Sequence, residues 1–490
     1  MSNLDRYETV IGLEVHAQLL TATKMFCGCA TDYQSAPPNT HVCPVCLGLP
    51  GALPVANREA VNCVMRTALA LHCELPQHTR FDRKNYFYPD LVKGYQISQL
   101  DAPIGKNGWL DVEIEGQAKR IGITRVHLEE DVAKALHMDG YSLMDLNRSG
   151  MPLMETVSEP DMRSPEEARE YLVRLRALLR YIGVSTGNME EGSFRCDANI
   201  SLRPIGATSF GAKIEVKNMN SFRSVYRALK HEQERQAEIL SAGGTLRQET
   251  RGWVDDQGVT VLQRTKELAE DYRYFPEPDV PPLILDRAWV SAVSAQMPEL
   301  PDERRARFIT ECGLSAADAG TLSSSRAFAD FFDECITIAG GTKGKALANW
   351  LLGDISRLVN ADGIELCDCR LTPHGVVELV AMIDRNEVGG PAAKTVLDEM
   401  YRSGRAPREV IADLNLGQIR GDEQLLDAIR QVIADNPRAV ADYQGGKEQS
   451  LTFLTGQLMR LTRGRADPVT SRKLLLEELR ASSSKPHSAE

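Results

Sequence analysis

The sequence lacks any long hydrophobic run, including near its first residue. Its 490 residues are 42% hydrophobic and 26% charged, a mixture typical of globular chains. A membrane-spanning helix needs about 20 apolar residues in succession, and a secretory signal needs an apolar core after a basic start. The opening residues, MSNLDRYETV, contain neither feature. We therefore predict a cytoplasmic protein with no membrane partner.

Several motifs for nucleotides and nucleophiles are also missing. The segment Ala339–Ala346 (AGGTKGKA) resembles a phosphate-binding loop, but Ala339 replaces the first glycine and Ala346 replaces the hydroxyl residue that contacts Mg²⁺. The sequence has no G-x-S-x-G elbow to expose a serine. It has no dinucleotide-binding fingerprint and no protein-kinase signature either. These absences exclude a P-loop ATPase and argue against covalent acyl chemistry on a serine.

The chain is acidic, with a formal net charge of −11 at pH 7. Such a charge argues against indiscriminate binding to nucleic acid, and we predict no DNA partner. Residues 411–490 are less acidic, because 11 Lys and Arg balance 11 Asp and Glu there. Several cations of this tail lie close together: Arg460, Arg463, Arg465, Arg472 and Lys473. Charge alone leaves open whether they contact RNA or form an ordinary solvated surface.

Cysteine is scarce but unevenly placed. The 11 cysteines are an odd number in a chain without a visible export signal, which favours reduced thiols and metal binding over disulfides. Cys27, Cys29, Cys43 and Cys46 form two close pairs around Ala30–Val42, a loop rich in Pro, Asn and Ser. Four thiolates complete a tetrahedral Zn²⁺ site and leave no open position for catalysis. We predict a structural zinc; the alternative is a set of free thiols.

The stretch Val10–Gln18 (VIGLEVHAQ) alternates between apolar and polar residues. In a strand, Ile11 and Leu13 face one side while Glu14 and His16 face the other. Three later stretches alternate in the same way: Ile121–Asp131 presents Arg125, His127 and Glu129, Phe194–Arg203 presents Arg195, Asp197 and Asn199, and Lys213–Lys217 presents Glu215. We predict one antiparallel sheet that carries all four polar-faced strands.

The acids on these faces would repel one another if they converged. Two carboxylates about 4 Å apart repel by roughly 4 kcal/mol at an effective dielectric constant near 20. A hard divalent cation would remove this repulsion. The acids concerned are Glu14, Glu129 or Glu130, Asp197 and Glu215. The alternative is that each strand only has a solvated face.

The length predicts two to four domains. A capping box at Ser164 begins a predicted helix that runs to about Ile182. The composition changes after Pro281-Pro282, and residues 290–410 have a charged, helical pattern, so we predict a domain boundary near 285–295. A final helical segment follows from about residue 411, and the residues from Ser482 onward have the composition of a disordered end.

Long motifs identify a family. In order along essentially the whole chain, they are VIGLEVHAQL, the four cysteines, FDRKNYFYPD, YQISQ, HLEED, DLNRSGMPLMETVSEPD, EEGSFRCDANISLRP, VKNMNSF and DYRYFPEPD. Together they resemble the B-subunit family of the tRNA-dependent amidotransferases, which act on aspartyl- or glutamyl-tRNA(Asn/Gln).

The resemblance implies an α+β fold. Its parts are a mainly antiparallel-sheet cradle domain with the zinc-binding loop (1–292), an all-helical domain (293–410) and a small helical, YqeY-like tail that binds tRNA (411–490). It also implies a ligase that forms a carbon–nitrogen bond with glutamine as amide donor. ATP and Mg²⁺ would activate the carboxylate of Glu on tRNA(Gln) or Asp on tRNA(Asn) as an acyl phosphate. Ammonia would come from an amidase, the A subunit of a heterotrimer whose small third member is the C subunit.

Site residues follow from the matched motifs. The resemblance assigns catalysis and Mg²⁺ binding to Glu14, His16, Glu129, Asp197 and Glu215, with Glu130 and Glu155 as neighbours. Three irregular, donor-rich loops and one strand supply the residues that we predict to contact ATP: Lys84, Tyr86, Arg148, Arg195 and Arg273.

The residues themselves leave a second function open. In this interpretation the protein is a zinc-stabilised tRNA-binding scaffold whose acidic face is structural and whose partner performs the chemistry. Removing the charge of Glu14 or Asp197 discriminates between the two, since only an enzyme would lose turnover with its fold intact.

Overall fold

The computed structural model describes residues 3–265, 272–417, 422–462 and 465–483, and the statements below concern these residues. The chain forms two compact units, Met1–Leu300 and Pro301–Glu490. The predicted further division at residue 410 stays a prediction. Among the described helices, none is both long and apolar enough to cross a membrane.

All the described strands lie in the first unit, where the polar-faced stretches are. The strands are β1 (Tyr7–Gln18), β2 (His78–Thr79), β3 (Asp82–Asn85), β4 (Tyr95–Ser98), β5 (Gly105–Ile114), β6 (Gln117–Glu130), β7 (Lys134–Met138), β8 (Tyr141–Asp145), β9 (Pro152–Ser158), β10 (Phe194–Pro204), β11 (Ile214–Lys217), β12 (Glu249–Val254), β13 (Val259–Thr265), β14 (Phe275–Pro276) and β15 (Leu283–Ile284).

An eight-stranded sheet organises this unit, with the order β13-β12-β11-β10-β1-β9-β6-β5. Its neighbours pair antiparallel except β11 and β12, which are parallel. Smaller sheets join β14 to β3 and β4, β15 to β2, and β7 to β8. With helices filling the second unit, the predicted α+β fold with a mainly antiparallel sheet is confirmed.

The pairing of β1 with its two neighbours determines which polar side chains meet. Glu14 lies opposite Asp197 and His16 opposite Arg195 on β10, while His16 also lies opposite Glu155 on β9. Residues directly opposite one another in a ladder project to the same side of a sheet. We call this side, which carries Glu14, His16 and their partners, the polar face.

The opposite side of the sheet is the core of the unit. Ile11, Leu13 and Val15 are almost fully buried there, together with apolar residues of the long helices. The helices of this unit are α1 (Arg58–Ala70), α2 (Pro165–Tyr181), α3 (Phe222–Ser241) and α4 (Arg287–Ser294). The predicted cap of α2 is confirmed, because the Ser164 hydroxyl accepts a hydrogen bond from the Glu167 amide.

The second unit is helical. Its helices are α5 (Pro301–Thr310), α6 (Ala316–Ser324), α7 (Arg326–Ile338), α8 (Gly344–Trp350), α9 (Ser356–Asp362), α10 (Pro373–Asp384), α11 (Gly390–Ser403), α12 (Pro407–Asp413), α13 (Asp422–Asp435), α14 (Pro437–Gln444), α15 (Gln449–Leu461) and α16 (Pro468–Ser483). One buried cluster runs from Phe308 to Leu416 and another from Leu425 to Leu479. Helix α16 includes Ser482, whereas Arg463 and the predicted disordered residues 484–490 lie outside the described part of the chain.

Candidate active site and metal centre

Three side chains of the polar face converge at the centre of the sheet. The Nε2 atom of His16 lies 3.5 Å from Oε1 of Glu129 and 3.5 Å from Oε2 of Glu155. One ligand atom from each residue lies within 4.8 Å of the others. We call His16, Glu129 and Glu155 the triad. The two carboxylates are almost fully buried, so their charges must be balanced locally.

A second histidine helps to balance them. Nε2 of His127 lies 3.2 Å from Oε2 of Glu155 and 3.8 Å from Oε2 of Glu129. Burial alone would lower the pKa of His16, but the Glu155 and Glu129 carboxylates raise it to about 9. Burial alone would raise the pKa of Glu155, but the two histidines hold it well below its usual range. The triad without a metal is therefore a network of imidazolium and carboxylate groups.

Lys84 approaches the same carboxylates from β3. Burial would lower the pKa of Lys84, yet the charges of Glu129 and Glu155 raise it above its ordinary value. The ammonium also lies 5.0 Å from the centre of the Tyr272 ring, which packs edge to face against Tyr86 at 6.0 Å. Lys84 thus stays a cation beside the triad, with an aromatic wall behind it.

The remaining predicted acids form a second group on the polar face. Lys217 donates a hydrogen bond to Asp197 and lies 3.3 Å from Glu215. The Thr250 hydroxyl donates to Glu215 at 2.8 Å, and Asn199 donates to Glu14 at 2.8 Å. We call Glu14, Asp197, Glu215 and Lys217 the second carboxylate group. The structure therefore brings His16 and Glu129 together with Glu155, and Glu14, Asp197 and Glu215 with Lys217.

Arg195 lies between the two groups. Its Nη2 atom donates to Oδ1 of buried Asp131 at 3.0 Å. The Asp131 charge, together with Glu129 and Asp197, raises the pKa of Arg195 in spite of its partial burial. Opposite His16 in the ladder, Arg195 offers a fixed cation to an anionic ligand at the centre of the sheet.

The other residues predicted to contact ATP have different surroundings. Arg148 donates to the carbonyl oxygens of Val132 and Ala133, each at 2.9 Å. Arg273 is exposed, and its carbonyl accepts a hydrogen bond from Asn85 at 2.8 Å. Arg148 thereby fixes the backbone that follows β6, and contact of Arg148 or Arg273 with ATP stays a prediction. Glu130 is separate from the triad and binds Lys93 instead.

A cavity of about 250 Å³ opens beside the second carboxylate group. Glu14 and Asn199 line one side, and Phe210, Gly211 and Lys213 line another. A side chain at position 211 would collide with the Leu202 carbonyl, because an added Cβ would lie only 2.1 Å from that oxygen. Glycine there lets the loop close against β10, and the exposed ring of Phe210 lines the cavity.

The donor set of the triad suits a divalent cation. Octahedral ligands at about 2.1 Å from Mg²⁺ lie about 3.0 Å apart when adjacent and about 4.2 Å apart when opposite. The two 3.5 Å separations from His16 fall within this range. Two carboxylates also supply the negative charge that such an ion requires.

The four cysteines of the zinc loop, residues 27–46, also converge. All four Sγ atoms lie within 4.8 Å of one another, and those of Cys43 and Cys46 are 3.9 Å apart. Thiolates about 2.3 Å from a tetrahedral Zn²⁺ would lie about 3.8 Å apart. A hydrogen bond from Cys27 lowers the pKa of Cys46 to about 5, and the fully buried ammonium of Lys24 lies 3.8 Å from the same sulfur. The residues therefore fit a zinc ion.

We expect Cys46→Ser to lower the zinc content from about one ion per chain to nearly none, because structural zinc needs all four ligands. The melting temperature of the protein should fall with it, since the loop Ala30–Val42 has no other core. Elemental mass spectrometry and thermal unfolding measure the two effects. The exposed thiol of Cys367 provides the matched control, and equal zinc in Cys46→Ser and Cys367→Ser would contradict the assignment.

Prediction from the sequence missed several residues of the site or gave them no role in it. Glu155 lies in the apolar run PLMETV of β9, which is buried on both sides and shows no alternation. A single charged residue in such a buried run was the feature of the sequence that could have indicated a functional role for Glu155. No signal in the sequence indicated that Lys217 and Asp131 would neutralise groups from distant strands, because that depends on strand order.

Comparison with known proteins agrees with these motifs. Residues 9–291 match the family model described as the GatB/GatE catalytic domain, and residues 330–479 match the model described as the GatB domain. The B subunit of the aspartyl/glutamyl-tRNA(Asn/Gln) amidotransferase from Dehalococcoides mccartyi (strain CBDB1) is 51% identical over 97% of this chain and 99% of its own. The B subunits of the same name from Carboxydothermus hydrogenoformans and Brevibacillus brevis are each 50% identical, over 96% and 97% of this chain respectively and 99% of their own.

Proposed function

Since the chain belongs to the family of aspartyl/glutamyl-tRNA(Asn/Gln) amidotransferase B subunits, we propose that its polar face phosphorylates the carboxylate of a tRNA-bound amino acid. The family is one of ligases that form carbon–nitrogen bonds with glutamine as amide donor. A carboxylate is a poor acceptor for ammonia because its leaving group would be oxide. Phosphorylation supplies the better leaving group.

The proposed reaction has two steps. An oxygen of the side-chain carboxylate of Glu or Asp attacks the γ-phosphorus of ATP, the bond from that phosphorus to the ADP oxygen breaks, and ADP leaves. Ammonia then attacks the carbonyl carbon of the acyl phosphate and forms the amide. The carbon–oxygen bond to phosphate breaks, and phosphate leaves with that electron pair and takes up a proton from the nitrogen.

The triad is the observation that supports this proposal most directly. Phosphoryl transfer depends on positioning and on neutralising the charge of the phosphate oxygens. His16, Glu129 and Glu155 would hold Mg²⁺, which when bound supplies that neutralisation. Lys84 and Arg195 would bind the phosphate oxygens from either side of the triad. His127 lies 3.2 Å from Glu155 and would keep its carboxylate directed at a bound ion.

The cavity near Phe210 is the proposed seat of the adenine. Gly12, which lines it, and His16 are four residues apart on β1, a span of about 13 Å at 3.3 Å per residue. A ribose and a triphosphate chain can bridge this distance across the second carboxylate group. Phe210 offers a ring face to the base, and Lys213 offers a cation at the cavity rim.

The partners follow from the same chemistry. The relatives are named as B subunits, which implies a multi-subunit enzyme that acts on tRNA. We propose that an amidase, the A subunit, delivers ammonia, that a small C subunit completes a heterotrimer, and that the tail from residue 411 binds the tRNA. RNA contact through the backbone weakens steeply with salt, which gives the tail a measurable signature.

The test is release of phosphate from γ-labelled ATP by the chain with its partners, Mg²⁺ and ammonia, with and without Glu-tRNA(Gln). The proposal expects release that requires the charged tRNA and falls sharply in Glu14→Gln. If that variant folds and still releases phosphate and forms amide at the wild-type rate, the second carboxylate group takes no part in the reaction. Release without tRNA or partners would instead indicate a free-standing phosphohydrolase.

Metal binding should release a proton. With its pKa near 9, His16 is protonated at pH 7.5 in the metal-free protein, and a cation must displace that proton. We expect about one proton released per ion and an affinity that rises about tenfold per pH unit from pH 7 towards 9. Calorimetric titration with Mn²⁺ in buffers of different ionisation enthalpy measures both. In His16→Gln the proton release should vanish, and its persistence would assign the proton to another group.

A further inference from the structure

We propose that Tyr33 of the zinc loop positions Arg195 on the polar face, so that the bound zinc controls the affinity for ATP. The inference rests on the proposed contact of Arg195 with ATP. It gives the zinc a specific task, although a tetrahedral cysteine site has no open position and takes no part in the reaction. Tyr33 is here a positioning residue that acts through Gln18 and Asp131.

A continuous set of contacts links the loop to the arginine. The Tyr33 hydroxyl lies 3.2 Å from Nε2 and 3.4 Å from Oε1 of Gln18. Nε2 of Gln18 donates to Oδ2 of Asp131 at 2.9 Å. The other oxygen of Asp131 accepts from Arg195 at 3.0 Å and from the Val132 amide at 2.9 Å. Gln18 and Asp131 are both buried, so the bond between them forms away from bulk water, whereas the bonds to Tyr33, Arg195 and Val132 are partly buried.

Zinc bound to the four cysteines would restrict the position of Tyr33. The residue lies between Cys29 and Cys43, inside the part of the chain that the four thiolates close. Its carbonyl accepts a hydrogen bond from Ala36 at 3.1 Å, a bond within the same loop. A loop of polar residues and prolines cannot fix its own conformation. Without the ion, the hydroxyl would no longer be held against Gln18.

The position of Arg195 depends on Asp131. The arginine side chain is 37% exposed, whereas that of Asp131 is 1% exposed. Glu129 and Asp197 attract the same guanidinium, so it has other carboxylates within reach. The bonds from Gln18 and Val132 fix the Asp131 carboxylate and thereby select this pairing. Loss of the Tyr33 hydroxyl would free the Gln18 amide to rotate, and Arg195 would sample its other partners.

The experiment measures equilibrium binding of ATP to the full-length chain, with zinc present and after removal of zinc by a chelator. The loss of one hydrogen bond corresponds to a change of about 3- to 10-fold in affinity. We expect Tyr33→Phe to weaken ATP binding by this factor while keeping about one zinc per chain. Removal of zinc should weaken the wild type similarly and should have no further effect on Tyr33→Phe.

The non-additivity of the two changes is the decisive readout, because a merely structural effect of zinc would weaken both proteins equally. The matched control is Tyr226→Phe, which removes an exposed hydroxyl bonded to Glu166 at 2.9 Å and should bind ATP as the wild type does. Unchanged binding in Tyr33→Phe, or equal zinc effects in both proteins, overturns the proposal. Arg195→Ala tests the contact of Arg195 with ATP separately from the effect of Tyr33 on Arg195. If this variant binds ATP as the wild type does, Arg195 does not contact ATP, and the premise of the inference is wrong.

Discussion

Replacing Glu155 by Gln is expected to lower tRNA-dependent amide formation by at least about 1000-fold, which corresponds to about 4 kcal/mol of lost transition-state stabilisation. Both carboxylates of the triad lie 3.5 Å from His16, and Glu155 is the closer of the two to His127, at 3.2 Å against 3.8 Å for Glu129. The substitution keeps the size of the side chain but removes the charge that a divalent ion requires. His16 can lose its proton in the variant, so the fold should persist.

Single-turnover assays with pre-charged tRNA, together with circular dichroism, measure both parts of this expectation. The Mn²⁺ affinity of Glu155→Gln should fall in parallel with the rate. A folded variant that retains more than about a tenth of the wild-type rate would show that the triad does not hold the catalytic ion, since a lost metal ligand costs several kcal/mol.

Glu232→Gln should have the opposite result, a loss of stability of about 3–5 kcal/mol without loss of turnover. Glu232 is fully buried on α3 and accepts two hydrogen bonds from Arg235, at 3.0 Å and 2.9 Å, and lies 3.3 Å from Arg251. Breaking a buried ion pair leaves its cations uncompensated. Because Glu232 is not part of the polar face described above, it is a matched control for Glu155→Gln.

The stability loss in Glu232→Gln should also depend on pH. Burial alone would raise the pKa of Glu232, but Arg235 and its other hydrogen-bond donors hold it below the ordinary value. A lowered native pKa contributes stability that is present above the unfolded pKa of about 4.3 and is lost as pH falls through the native pKa. Denaturant unfolding at pH 7 and at successively lower pH should show the difference between wild type and variant shrinking. A constant difference would indicate a packing defect instead.

Local patterns in the sequence were sufficient to predict one strand, the cysteine cluster and one helix cap. The alternation of Val10–Gln18 was sufficient to predict β1 and its two faces, because the apolar face is fully buried while Gly12, Glu14 and His16 on the other face are only partly buried. The convergence of the four cysteines was predictable because all four lie within 20 residues of chain. The cap at Ser164 was readable for the same reason, since a capping box involves residues three apart.

The grouping of the acids depended on information that a single sequence does not contain. Strand order places β9 between β1 and β6, so Glu155 meets His16 and His127 from both sides. The motif match placed Glu155 only beside the predicted Mg²⁺-binding residues. It also grouped Glu14 with His16 and Glu129, because the sequence does not show that Glu14 lies in a different cluster. Lys217 meets Asp197 only because β10 and β11 are neighbours. Register and strand order are non-local, whereas alternation is local.

The measurement that tests the central claim most directly follows an oxygen atom. Glu-tRNA(Gln) labelled with ¹⁸O in its side-chain carboxylate is converted to amide by the complete enzyme, and the released phosphate is analysed by mass spectrometry. If the polar face phosphorylates the carboxylate, each phosphate carries one ¹⁸O atom, and in Glu155→Gln no labelled phosphate forms. Phosphate without ¹⁸O, released in step with amide formation, would contradict the acyl-phosphate account and favour a scaffold whose partner performs the chemistry.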